Sequence, residues 1–169
     1  MNIFKLIISL KIIILNMIHL MLLVNRQGKI RLMKWYDSYL VSERQKYIKE
    51  LSIMVIGRSQ RLSNVIEWNN YKVIYKRFAS LYFITLCDKE ENELIILELL
   101  QHFVECLDRY FGNVCELDII FNFHKAYYII EEILSGGNIQ ESDRKEIQKI
   151  LTEQDTKLNE EKEEDYQNN

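Results

Sequence analysis

IYKRFASLYF, Ile74 to Phe83, reads as one strand running through a tight bend into a second, nearly all-apolar strand. β-Branched and aromatic residues suit a pleated, half-buried surface. Upstream, Val65-Ile66-Glu67-Trp68 and Lys72 to Lys76 form short strands separated by Asn69-Asn70, a good turn pair. Ala79 to Cys87 is the third strand, and three in succession imply an antiparallel meander. Residues 17 to 37 open with a hairpin, strand, Arg26-Gln27-Gly28-Lys29 turn, strand, in which Gly28 can take the positive φ of a hairpin loop.

Helices are announced by cap patterns followed by apolar residues at helical spacing. Ser42 with Gln45 precedes Tyr47, Ile48, Leu51 and Val55, a helix running to about Ile56 and ending at Gly57. Asp88 with Glu91 precedes a helix from Asn92 to Phe111. Asn113 with Glu116 repeats the pattern before one further helix to about Leu134, stopped by Gly136-Gly137. Glu141 to Gln154 is a shorter amphipathic helix, and NEEKEEDYQNN is a charged tail too poor in apolar residues to fold. The order β-β-α-β-β-β-α-α points to α+β, a five-stranded, mostly antiparallel sheet packed with helices. The two long helices are apolar over more than one stripe, which a domain this small cannot satisfy internally, so part of that surface is expected to be covered by another subunit.

A chain of 169 residues supports one domain with tails. Its 22 basic and 25 acidic residues nearly balance, without the basic excess of a nucleic-acid surface, so protein partners are expected. Cys87, Cys106 and Cys115 are odd in number, form no CxxC and sit in apolar runs, reading as small core hydrophobes in a reducing compartment. His19, His102 and His124 are too scattered for a metal, and the five glycines form no phosphate cradle, so no cofactor is implied. Glu90-Glu91 and Glu131-Glu132 are adjacent and splay rather than converge, which suits solvated faces better than acid–base chemistry. Tyrosines interleaved with Lys72, Lys76 and Arg77 recur at strand or helix period and read as packing, not base stacking.

KWYD (34–37), VIYKRFASLYF (73–83) and FGNVCELDIIFNFHKAY (111–127) together closely resemble the small (sigma) chain of heterotetrameric clathrin adaptors, with details most like that of adaptor protein complex 1. The resemblance covers Met17 to about Asp155. Residues 1–16 are then an extension foreign to the family, read as a misassigned start or as an interfacial anchor, and 156–169 an acidic tail. The resemblance implies a longin-like fold and a non-enzymatic role beside two large chains (gamma-type and beta-type) and a medium (mu) chain. Clathrin and membrane would be reached through the complex, peripherally at trans-Golgi and endosomal membranes, with cargo tails carrying [DE]xxxL[LI] as ligands. The alternatives are the sigma chain of the plasma-membrane adaptor and a stand-alone longin-type regulator; the latter should carry a heptad-repeat segment, whereas only an acidic tail follows here.

Carried over residue by residue, the resemblance places a dileucine pocket on Ala79, Leu81, Val104, Asn113, Val114, Leu117 and Ile119, with Arg31 contacting the upstream acidic position. Ala79 and Leu81, two apart on a strand, would share a face and floor the pocket. Leu117 and Ile119 are about 200° apart on a helix and cannot share one, so one of them either lies in a first, non-regular turn or serves the core instead. Asn113 fits either a peptide contact or a helix N-cap. Two buried leucines yield roughly 3–6 kcal/mol and an exposed Arg31 pair about 1 kcal/mol, a weak, reversible reader.

Overall fold

Every residue of the first strand, β1 (Ile18–Asn25), is buried, so the sheet must be covered on both faces. The computed structural model describes residues 18–139 together with Lys149, Thr152, Glu153 and Thr156. After β1 come β2 (Ile30–Trp35), α1 (Val41–Ile56), β3 (Val65–Trp68), β4 (Tyr71–Phe78), β5 (Leu81–Asp88) and α2 (Glu93–Phe111). The described chain closes with α3 (Glu116–Phe121), α4 (Phe123–Ile133) and a small hairpin, β6 (Leu134–Ser135) and β7 (Asn138–Ile139). Five strands form one sheet in the order β2-β1-β5-β4-β3, every neighbouring pair antiparallel. This is the α+β architecture expected from the period-two runs.

Alternation along the strands divides the core in two. Leu20, Leu22 and Val24 of β1 join Val73, Tyr75, Ile84 and Leu86 under Leu51 and Val55 of α1. Met21 and Leu23 join Ile74 and Phe83 under α2 and α4, through Ile96, Leu100, Phe103, Ile129 and Ile130. Phe83 meets Phe103 edge-on at 5.8 Å between ring centroids. At the start of β1, buried His19 is held between two carboxylates, its Nδ1 on Asp37 and its Nε2 2.8 Å from Asp88 Oδ1, tying the ends of three chain segments together.

Several local expectations are corrected. α1 starts one residue before Ser42, and Glu43 accepts a bond from the backbone N–H of Leu40 (3.1 Å), so Ser42 and Gln45 form no capping box. Asn92 itself caps α2, accepting from the Leu94 N–H at 3.0 Å. The single helix expected from Glu116 to Leu134 is two. Asn122 adopts φ −124°, and the Asp118 carbonyl accepts from both its backbone N–H (2.9 Å) and its side-chain amide (3.2 Å), closing α3 there. Ala79 is not on a strand: with φ 51° it sits in the two-residue turn between the paired residues Phe78 and Leu81. Cys115 is exposed at the start of α3 rather than in the core, while burial pushes the Cys87 thiol up to about 12, leaving it neutral and unreactive. The extension 1–16 and the tail beyond Thr156 lie outside the described residues, as does most of the helix expected at 141–154.

Candidate functional site

Glu116, in the first turn of α3, organises one end of the sheet. Its Oε1 accepts from Arg31 Nε at 2.8 Å, lies 2.7 Å from the terminal guanidinium nitrogen, and accepts from Asn25 Nδ2 at 3.0 Å; Ser80 Oγ reaches Oε2 at 3.4 Å. The β1–β2 hairpin, the β4–β5 turn and α3 are thus stitched through one carboxylate. Burial alone would raise the Glu116 pKa, but the Arg31 and Asn25 bonds outweigh it and hold the group below the ordinary carboxylate range. Asn25 also closes its own hairpin, its Oδ1 accepting from the N–H groups of Gln27 and Lys29, both at 2.9 Å.

The residues assigned to the dileucine pocket separate into two sets. Leu81, Val104, Val114 and Ile119 come together, all buried in the core cluster beneath α2. Ala79, Asn113 and Leu117 are exposed. Leu117 is 59% exposed whereas Ile119 is fully buried, so their opposite directions on α3 put one in solvent and one in the core. Asn113 is not the N-cap, a position held by Cys115, whose N–H donates to Asp118 Oδ2 at 2.8 Å. It adopts the left-handed conformation at φ 65° and is exposed. The pair Arg31–Glu116 escaped the sequence because its members lie 85 positions apart; the only local sign was an acidic residue opening a helix, which was read as part of a cap.

Beside this end of the sheet runs an uncovered apolar corner. Phe121 is 75% exposed and Phe123 56%, on either side of the Asn122 bend, and Leu117 and Ile120 are exposed on α3 before it. Leu94 and Ile95 at the start of α2 are exposed as well. Among the described residues no group of three or more His, Cys, Asp or Glu is placed to hold a metal ion, and no helix is long and apolar enough to cross a membrane.

The family model described as "Clathrin adaptor complex small chain" matches residues 17–158. The chain belongs to that family. It is 54% identical over 140 residues to "AP-1 complex subunit sigma-2" of Dictyostelium discoideum, covering 83% of this chain and 91% of that protein. It is 58% identical over 139 residues to "AP-1 complex subunit sigma-2" of Arabidopsis thaliana (82% and 86% covered) and 49% over 139 residues to "AP-1 complex subunit sigma-1A" of Homo sapiens (82% and 88%). Among structures, a chain of the "Homology model of the full-length AP-3 complex in a stretched open conformation" matches with TM-score 0.67 at 29% identity, over 88% of this chain and 99% of that chain. The protein is therefore a small subunit of a clathrin adaptor complex, a component of vesicle-mediated protein transport.

Proposed function

We propose that this small chain works as a non-enzymatic subunit of an AP-1-type complex at trans-Golgi and endosomal membranes, with gamma-type, beta-type and mu chains as partners and clathrin engaged through the assembly. The observation that carries the assembly reading is the uncovered corner of Ile120, Phe121 and Phe123. Burying a Leu or Phe side chain contributes about 1.5–3 kcal/mol, so a surface of this composition gains most when a neighbour covers it. The relatives, AP-1 sigma subunits at about half identity, support the choice of complex.

Acidic dileucine tails are read at the same end. Asn113 and Leu117 supply the accessible contacts, Leu81 and Val114 lie beneath, and Arg31 faces the acidic position. Arg31 spends two donors on Glu116 and has three N–H groups left, so a cargo carboxylate joins an existing ion pair rather than meeting a lone cation. Peptide binding to the assembled complex tests this: Leu117→Ser is expected to weaken dileucine peptides while leaving tyrosine-motif peptides unchanged. Equal binding of dileucine peptides before and after the change would refute the assignment.

A further inference from the structure

On the α1 face of the sheet, a cavity of about 550 Å³ opens between the loop after α1 and strands β4 and β5. Arg58, Gln60, Asn64, Tyr75, Arg77 and Tyr82 line it, and no acidic residue does. Tyr75 and Arg77 lie two apart on β4 and so share this face, with the Arg77 guanidinium 5.8 Å from the centre of the Tyr82 ring. Lys76 contributes main chain only, because its amine turns to the opposite face and donates to Gln101 of α2. Arg58 uses its Nε on the Ser63 carbonyl at 3.1 Å, which keeps its terminal nitrogens for another acceptor. Among the described residues neither arginine has a carboxylate partner.

Two guanidinium groups with nothing to neutralise them match the charge of a phosphomonoester, about −1.5 to −2 at pH 7, better than that of a single carboxylate. Their planar forks, with tyrosine hydroxyls and amide side chains beside them, supply donors for its terminal oxygens. The same loop supplies a membrane signature. Arg61 is exposed, and Leu62 is 51% exposed at a turn closed by its own N–H on the Ser59 carbonyl (3.1 Å), placing an apolar side chain among basic ones. We propose that this cavity holds the phosphomonoester headgroup of an anionic phospholipid, with Leu62 set into the interfacial layer beside it.

Vesicle flotation of the full chain, in the assembly with which it purifies, tests the site. The vesicles are phosphatidylcholine carrying phosphatidylinositol 4-phosphate, with phosphatidylserine vesicles matched in surface charge as control. Arg58→Gln and Arg77→Gln are each expected to lower binding about fivefold, and the double variant about 25-fold, the scale of two basic residues at an anionic surface. Lys76→Gln should bind as the unmodified chain does, and soluble inositol 1,4-bisphosphate should compete. Undiminished binding of the double variant, or equal binding to the phosphatidylserine vesicles, would overturn the site. Direct binding of the soluble bisphosphate without vesicle binding would overturn the lipid source, as would preferential competition by a phosphoserine peptide. Because Arg77 also stacks on Tyr82, Arg58→Gln alone is the decisive variant should the double one melt early.

Discussion

Replacing Glu116 with Gln separates the two roles open to Arg31. The carboxylate sits 2.7 Å from the terminal guanidinium nitrogen, with both side chains about one-fifth exposed. In that setting the pair is worth about 1 kcal/mol, since solvent screens most of the bare attraction. Glutamine keeps an oxygen for Asn25 and Arg31 but removes the charge, so a cargo carboxylate arriving at Arg31 meets a full positive charge and no competing anion. The expected gain is about fivefold in affinity. Fluorescence polarisation on the assembled complex would compare two peptides, one with Asp or Glu and one with Gln at the position four residues before the first leucine. The acidic peptide should tighten about fivefold and the neutral one should not move. An equal change in both, or weaker binding of the acidic peptide, would show that Arg31 serves only the Glu116 stitch.

The same carboxylate predicts a pH dependence. Because its folded pKa is depressed, Glu116 contributes stability that is present above its ordinary value of 4.5 and lost as pH falls through the lower folded value. Thermal melts of Glu116→Gln should show a shallower loss over that acid range, and parallel curves for the two proteins would contradict it. Val104→Asp, at a core site 2% exposed, should destabilise the domain by about 3–5 kcal/mol and lower its yield, so it reports folding rather than cargo binding. Leu117→Ser, at an exposed site, should change stability by no more than about 0.5 kcal/mol in chemical denaturation. A large stability loss there would mean that Leu117 belongs to the core.

The sheet was legible because its signal is local: β-branched and aromatic residues at period two, with Asn69-Asn70 and Gly28 marking turns in which Asn69 and Gly28 take positive φ. The bend between β4 and β5 was legible too, but it was placed before Ala79 rather than at Ala79-Ser80, since neither residue is a usual left-handed turn former. The bend at Asn122 lies in the backbone of one residue, at φ −124°, which an otherwise continuous apolar pattern hides. The expectation of surplus apolar surface on the helices was right, and the structure locates it at Leu94, Ile95, Leu117, Phe121 and Phe123. Sequence pattern could not divide the dileucine set, because an apolar side chain that fills the core and one that waits for a ligand look alike. Leu81, Val104, Val114 and Ile119 are buried in this structure, and Leu117 is exposed.

Co-expression with the large and medium adaptor chains tests most directly whether the exposed corner is an assembly surface. The unmodified chain should purify with them at equal stoichiometry. Phe121→Ser with Phe123→Ser should melt like the parent chain yet lose at least a hundredfold in association, from about 3–6 kcal/mol of lost burial. An unmodified chain that remains a stable, soluble monomer beside those partners, or a double variant that still assembles fully, would contradict the account.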